Sequence, residues 1–197
     1  PAYAKAGFRV EGVFDLDESR SRATAGKWSI ANVFGSIGEA LAAEAVVFDV
    51  AVPPENLLGI LEQMRPGSIV LMQKPMGKDL NDARAIRQVC REKSLCAAVN
   101  FQLRFSPMMI ALKDAIDRGL IGTITDVEVH LNLRTPWELF DFLKKLDRVE
   151  IQVHSIHYLD WIRSLLGEPQ GVYARTVAHP NYPELKSPKT SAILAYG

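Results

Sequence analysis

Two stretches of the sequence concentrate side chains that can move protons. Lys74 stands between Gln73 and Pro75, directly after an apolar run at residues 68–72. A lysine that is partly desolvated at a strand end has a lowered pKa, so it can transfer a proton or polarise a hydroxyl or carbonyl oxygen. The second stretch carries His154 and His157. Imidazole changes its charge near neutral pH, which suits it to acid/base chemistry.

The two histidines lie on a predicted helix over residues 152–166. Its apolar residues cover one broad face, and the other face carries His154, His157, Asp160 and Trp161 in place of the usual Lys and Glu. Residues three apart on a helix are neighbours, so each His–His and His–Asp pair can meet. We expect a face that lines a cleft and supplies an acid/base histidine. A metal site and a histidine pair packed at a domain interface are the alternatives, although this spacing is a weak zinc signal.

Polar residues also follow several predicted strands of the first half. Asp15, Pro53, Lys74 and Asn100 each stand just beyond the carboxyl end of an apolar run. The carboxyl ends of parallel strands share one edge of a sheet, and open parallel sheets bind their ligands there. The topology therefore predicts that these residues line one crevice, whereas each taken alone could be an ordinary loop residue.

Asp15 has a specific role in this interpretation. An acid at the end of the second strand of a dinucleotide-binding unit accepts hydrogen bonds from a ribose 2′-hydroxyl and repels a 2′-phosphate, which favours NAD. Arg20 and Arg22 leave NADP open. The glycine-rich phosphate loop would precede Asp15 by about 20 residues, before Pro1. We therefore expect a chain truncated at both ends, which by itself binds the cofactor poorly.

The elements that position these residues predict an α/β fold. Residues 1–100 alternate apolar strands with helices, which is typical of a Rossmann-like, doubly wound parallel sheet, here without its first strand. After Asn100, residues 123–133 alternate apolar and polar side chains, as a half-buried strand does. We predict a partial NAD(P)-binding domain over 1–100 and a partial α+β domain over 101–197, with an open, mainly antiparallel sheet that serves the substrate and oligomerisation.

Composition and charge exclude several classes of function. The chain has 197 residues, with 23 Lys and Arg against 23 Asp and Glu, so it lacks the basic excess of a nucleic-acid binder. No apolar run approaches the roughly 20 residues of a membrane span. Its two cysteines, Cys90 and Cys96, lack zinc spacing and suit a reducing compartment. We expect a cytoplasmic protein.

Seven short motifs occur in an order that resembles one family. They are the strand ending at Asp15, Asp49-Val-Ala-Val-Pro-Pro54, Gln73-Lys-Pro75, Asn100-Phe-Gln-Leu-Arg-Phe-Ser-Pro107, Gly119-Leu-Ile-Gly122, His157-Tyr-Leu-Asp160 and Leu166-Gly-Glu-Pro169. Each is weak alone, but together they span nearly the whole chain. The sequence resembles the glucose-fructose oxidoreductase / inositol dehydrogenase / rhizopine-catabolism family of NAD(P)-dependent oxidoreductases.

This resemblance implies hydride transfer between nicotinamide and a sugar-like or polyol alcohol, in a homodimer or tetramer assembled through the C-terminal sheet. Lys74 matches the lysine that contacts substrate and nicotinamide, and His157 matches the histidine assigned proton transfer. The cofactor-binding candidates are Asp15, Val52, Pro53, Gln73, Lys74 and Asn100. The substrate-binding candidates are Arg104, Trp137 and Asp160.

Two positions depart from the family pattern. The acid that usually precedes Lys-Pro is Gln73 here, and the aspartate often found four residues before the histidine is Val153. His154 is one residue further on and could take the place of that acid beside His157. The departures also motivate an alternative, a non-catalytic NAD(P)-binding regulatory or sensor protein of the same fold. A metal-dependent enzyme built on His154, His157 and Asp160 is a third, weaker hypothesis.

Overall fold

The first hundred residues alternate helices and short parallel strands, as their apolar runs predicted. The computed structural model describes residues 2–197. The elements of this half are α1 (Ala2–Lys5), β1 (Gly12–Val13), α2 (Glu18–Trp28), β2 (Asn32–Val33), α3 (Ile37–Leu41), β3 (Val47–Val50), α4 (Pro54–Gln63), β4 (Ile69–Met72), α5 (Leu80–Glu92) and β5 (Cys96–Val99).

The strands form two parallel groups, β1–β2 and β3–β4–β5. In the larger group Val50 pairs with Met72, and Met72 pairs with Val99, so the three strands end at one level. The residues that follow them therefore meet at one edge. The Rossmann-like parallel arrangement predicted from the sequence is confirmed, although β1 and β2 are shorter than their apolar runs.

Capping side chains set the helix starts that the sequence predicted. Ser36 accepts a hydrogen bond from the Glu39 N–H at 3.1 Å, and the Glu39 carboxylate accepts one from the Gly35 N–H at 2.7 Å. This reciprocal arrangement satisfies backbone donors that a helix start leaves free. Asp79 likewise accepts from the N–H groups of Asn81 and Asp82, at 2.8 and 3.0 Å, and so fixes the start of α5.

The main core lies between the β3–β4–β5 sheet and helices α4 and α5. Leu61 and Ile86 are fully buried there, one on each helix. Its buried members are Leu41, Val50, Leu57, Leu61, Met64, Val70, Met72 and Ile86. The apolar runs of β3 and β4 predicted burial on both faces, but Val47 and Ile69 are 60% and 45% exposed. They pair with each other at the amino ends of their strands, beyond the cover of the helices.

The second half contains α6 (Pro107–Asp117), 3₁₀ turns at Gln102–Phe105, Trp137–Leu139 and Asp141–Lys145, a π turn at Ile151–Ser155, α7 (Ile156–Leu166), and the antiparallel pair β6 (Gly171–Val177) and β7 (Lys189–Ala195). A smaller core supports this half. Its buried members are Trp137, Leu143, Leu146, Val149, Val153 and Leu185. Within residues 2–197, no helix is both long enough and apolar enough to cross a bilayer.

One prediction for this half was wrong in detail. The long strand expected over residues 123–133 does not form, because β6 and β7 pair only with each other and no described strand offers 123–133 a hydrogen-bonded ladder. Its alternating apolar side chains remain partly exposed, with Leu133 at 57%. The segment between residues 123–133 and α7 contains the two 3₁₀ turns Trp137–Leu139 and Asp141–Lys145.

The helix predicted over residues 152–166 is interrupted at its start. Residues Ile151–Ser155 form a π turn, in which the Ile156 N–H reaches the Ile151 carbonyl five residues back. The Ser155 hydroxyl spans the same turn and donates to the Glu150 carboxylate at 2.8 Å. π turns inside helices are rare and occur frequently at functional sites.

Candidate functional site

The polar side chains at the carboxyl ends of three strands form one hydrogen-bonded chain. Asn100, after β5, donates from Nδ2 to Gln73 Oε1 at 3.1 Å. Gln73, after β4, donates from Nε2 to Asp49 Oδ1 on β3 at 2.9 Å. The Tyr3 hydroxyl donates to the other oxygen of Asp49. Burial and this carboxylate raise the pKa of Tyr3 to about 12.

Lys74 follows Gln73 directly and is half-buried at the same edge of the sheet. Burial lowers the pKa of its ammonium below the ordinary value for lysine, as expected when a charged amine loses water. A less basic amine can give up or share a proton more easily, which agrees with the chemistry inferred from the sequence.

His157, on α7, is a buried imidazole whose Nδ1 has no hydrogen-bond partner among the described residues. Its ring meets the Phe101 ring edge-on, with the centroids 6.0 Å apart. Burial lowers the pKa of His157, and the positive charges of Lys74 and His154 lower it further, while Asp160 opposes them. The imidazole is therefore mostly neutral at pH 7, and its Nδ1 is an unsatisfied buried polar atom.

His154 lies on the π turn and is half-buried. Its ring packs edge-on against Trp137 with 5.3 Å between centroids, and its Nε2 lies 3.4 Å from the Thr135 hydroxyl. Burial lowers the pKa of His154 and so does the charge of Lys74, while Glu150 raises it. Because the ammonium of Lys74 acts on both imidazoles, the three groups share one electrostatic environment. Lys74 lies in the first half of the chain and the two histidines lie in the second.

The two charged candidates for substrate binding contact each other. The Arg104 guanidinium donates to both carboxylate oxygens of Asp160, at 2.9 Å from Nε and 2.5 Å from Nη2. Asp160 therefore pairs with Arg104 and not with His157. The bond ties α7 to the 3₁₀ turn after β5, which also carries Phe101 at its start. Planar pairs of this kind fix orientation as well as distance.

The remaining site candidates, Trp137, Val52 and Pro53, differ in how deeply they are buried. Trp137 is a buried member of the smaller core, and only its ring edge reaches His154. Val52 is partly buried against the main core, and Pro53 precedes the first turn of α4 on the exposed edge. Across residues 2–197, no three His, Cys, Asp or Glu side chains come together as a metal site. Of the three residues of the metal hypothesis, Asp160 is bonded to Arg104.

Asp15 lines a separate cleft of about 490 Å³ at the carboxyl ends of β1 and β2. The cleft is bounded by the two strand ends and the starts of α2 and α3, with Phe14, Leu16, Phe34 and Ser36 among its walls. One Asp15 oxygen, Oδ1, accepts a hydrogen bond from the Asp17 N–H at 2.9 Å, which orients the carboxylate. A cleft of this size at the ends of parallel strands suits a flat heterocycle with its ribose.

Sequence reasoning missed several residues that shape the site. Asp49 gave a detectable signal, since it is the one charged residue in the apolar run at 46–52. Phe101 and Thr135, which contact the two histidines, carry no signal in a single sequence. Glu150 and Ser155 depend on the π turn, which helical periodicity does not reveal.

Comparisons with known proteins identify relatives of the chain. The chain is similar to the D-apiose dehydrogenase of Paraburkholderia graminis, with 26% identity over 175 residues, covering 86% of this chain and 46% of that protein. It is also similar to inositol 2-dehydrogenase 1 of Saccharopolyspora erythraea, with 30% identity over 164 residues, covering 81% of this chain and 48% of the relative. No protein-family model matches the chain.

A solved structure shows the same fold. The WlbA dehydrogenase from Bordetella pertussis, in complex with NADH and UDP-GlcNAcA, superposes with a TM-score of 0.77 and 20% identity, covering 98% of this chain and 57% of that one. The chain spans about half the length of the curated relatives it matches. The family predicted from the motifs is confirmed, and the chain is a relative of the glucose-fructose oxidoreductase / inositol dehydrogenase / rhizopine-catabolism oxidoreductases in both sequence and fold.

Proposed function

We propose that this chain provides the nicotinamide-side and proton-transfer groups of an NAD(P)-dependent oxidoreductase that acts on a sugar-like or polyol alcohol. The observation that carries the proposal is the buried, unpartnered Nδ1 of His157 in the electrostatic environment of Lys74. A buried imidazole nitrogen without a partner costs free energy and is unusual in a folded protein, which marks His157 as a candidate functional residue.

The relatives support the chemical class. The curated ones are named for D-apiose and for inositol, a sugar and a polyol. Both compounds are polyhydroxylated and both relatives are named dehydrogenases, which favours oxidation of a carbon that bears a hydroxyl group. The Bordetella pertussis structure holds NADH together with a nucleotide sugar, which places both ligand classes on this fold.

The chain's residues fit a dinucleotide at two places. The Asp15 cleft would hold the adenosine ribose, with the carboxylate accepting from its 2′-hydroxyl. Val52, Pro53, Gln73, Lys74 and Asn100 follow or end β3, β4 and β5 and would line the nicotinamide side. Asp15 favours NAD over NADP because a 2′-phosphate would meet its negative charge.

The proton-transfer groups act on the substrate oxygen. When bound, a nicotinamide cofactor supplies the hydride acceptor. Lys74 would donate a hydrogen bond to the reacting oxygen, and neutral His157 would take the hydroxyl proton as the carbinol carbon loses its hydride. The lowered pKa of His157 keeps it unprotonated at pH 7, the form that a general base requires. His154 would help to position this end of α7 through its ring contact with Trp137.

The experiment is hydride transfer by the protein expressed from its complete gene. NADH formation is followed at 340 nm across a panel of pentoses, hexoses, inositols and their acids. Lys74→Ala and His157→Ala are expected to lower kcat/KM by at least about 100-fold, the usual loss when an acid/base group is removed. Lys78→Ala is the matched control, because Lys78 is exposed and pairs with Asp82. It is expected to change kcat/KM less than twofold.

Other outcomes lead to different conclusions. Turnover that survives both substitutions would mean that Lys74 and His157 do not carry the reaction. Tight NADH binding without turnover on any panel member would support the sensor protein instead. Asp15→Ala tests the cofactor preference separately. It is expected to lower the ratio of kcat/KM with NAD to kcat/KM with NADP.

We also propose that the protein is a cytoplasmic homo-oligomer assembled through β6 and β7. Val172, Tyr173 and Ile193 on this pair are each more than 60% exposed. Burying such apolar side chains between copies would stabilise an assembly. Light scattering measures the mass of the wild-type protein and of Tyr173→Lys. The variant is expected to have a smaller mass than the wild-type assembly, and an unchanged mass would contradict this interface.

A further inference from the structure

The hydrogen-bonded chain at the strand ends has a fixed direction. A carboxylate can only accept hydrogen bonds, whereas each amide can donate or accept depending on which way it is turned. Asp49 accepts from Gln73 on Oδ1 and from Tyr3 on Oδ2. Gln73 must therefore turn its NH₂ toward Asp49, which leaves its oxygen to accept from Asn100. The orientation of Asn100 is thus set by a carboxylate two strands away.

We propose that Asp49 is a positioning residue that fixes the orientation of both amides, so that Asn100 presents an acceptor oxygen to the ligand crevice. Asn100 uses Nδ2 on Gln73, and its Oδ1 has no hydrogen-bond partner among residues 2–197. That oxygen would accept from an N–H or O–H donor on the ligand. This inference rests on the proposed function only for the identity of the ligand.

The same geometry explains why position 73 carries an amide. A glutamate there would place a second carboxylate at hydrogen-bond distance from Asp49, where like charges repel. Gln73 has nearly the same shape but supplies the donor that Asp49 needs and the acceptor that Asn100 needs. The negative charge at this edge therefore resides on β3 and is connected to Asn100, after β5, through the neutral Gln73, after β4.

Three titratable groups surround position 73. Asp49 lies on β3, Tyr3 reaches Asp49 from α1, and Lys74 is the next residue along the chain. Gln73 is hydrogen-bonded to Asp49 and Asn100, and no hydrogen bond among the described residues joins its side chain to Lys74. A carboxylate introduced at position 73 would thus meet Asp49 first.

The test is a charge-exchange cycle of Asp49→Asn, Gln73→Glu and the double variant. Gln73→Glu is expected to weaken NADH binding about tenfold, because it places two carboxylates side by side and removes the donor to Asp49. Asp49→Asn is expected to weaken it about fivefold, as loss of about 1 kcal/mol of orienting hydrogen bond would give. The double variant restores a donor at 49 and an acceptor at 73, so its affinity returns to within about twofold of wild type.

Two further measurements separate this proposal from the proposed function. Asp126→Asn is the matched control, an exposed acid-to-amide change that should leave affinity unchanged. Urea unfolding of wild type, the two single variants and the double variant measures the coupling between positions 49 and 73 without any ligand. The side-chain NH₂ resonances of Asn100 report the orientation of its amide under the same conditions. Additive unfolding effects, together with an Asn100 signal that does not respond to Asp49→Asn, would overturn the positioning role. If no variant binds NADH but the unfolding effects are coupled, the oxidoreductase proposal fails and the positioning role stands.

Discussion

Replacing His157 with leucine is expected to stabilise the fold while removing its chemistry. At pH 8 the imidazole is neutral in both the folded and the unfolded protein, and its buried Nδ1 lacks a partner. Removing an unsatisfied buried polar group recovers about 1 to 3 kcal/mol. Losing the edge-on contact with Phe101 costs about 0.5 to 1.5 kcal/mol. The net expectation is a gain of roughly 1 kcal/mol in the free energy of unfolding.

The gain should grow as the pH falls. Because burial lowers the pKa of His157 in the folded state, the unfolded chain binds a proton first, below about pH 6.5. Wild type therefore loses stability as the pH falls from 6.5 toward the folded pKa, at up to about 1.4 kcal/mol per pH unit from this residue. His157→Leu has no such proton to bind, so the difference between the two proteins widens.

Urea unfolding at pH 8, 7, 6 and 5 measures both effects, with circular dichroism as the readout. His130→Gln is the control, because the His130 side chain is 84% exposed and its loss should leave the pH dependence of stability unchanged. A His157→Leu protein that is more than about 1 kcal/mol less stable than wild type at pH 8, and that follows the wild-type pH dependence, would refute the reasoning.

Three further predictions use the same contacts. Lys74→Met removes a positive charge that lowers the pKa of His157, so an NMR titration of the imidazole should show its pKa raised; no change would place the two groups too far apart to interact. Asp160→Asn weakens the paired bonds from Arg104 and should cost roughly 2 kcal/mol in urea unfolding, with Arg104→Met giving no additional loss in the double variant. Asp79→Ala removes two capping bonds from α5 and should lower the free energy of unfolding by about 1 kcal/mol, whereas Asp79→Asn should retain most of it.

The strand-and-helix order of the first half could be predicted because each signal is local. Ser36 and Asp79 are caps whose side chains bond within three residues, and the apolar runs are long enough to identify strands. The meeting of Gln73 and Asn100 at one edge followed from the rule that the carboxyl ends of parallel strands share an edge, where ligands bind. These inferences needed no information about which residues touch.

The features that escaped prediction depend on distant partners. Residues 123–133 alternate as a strand should, but alternation does not supply the neighbouring strand that a ladder requires. Arg104 and Asp160 are 56 positions apart, and nothing in either residue indicates the other. Gln73 departs from the family pattern, and only the position of Asp49 explains why an amide stands there.

The π turn at Ile151–Ser155 makes the length of this segment matter more than its composition. A π turn holds one residue more than a regular helical turn, so deleting any single residue from it would let an unbroken α-helix form. The helical residues before the deletion would then rotate by about 100° about the helix axis relative to α7, because that is the angular step of one helical residue. His154 would leave its place against Trp137 while His157 stayed put. Homologues that differ by one residue in this segment should therefore be aligned by the direction of their side chains and not by counting.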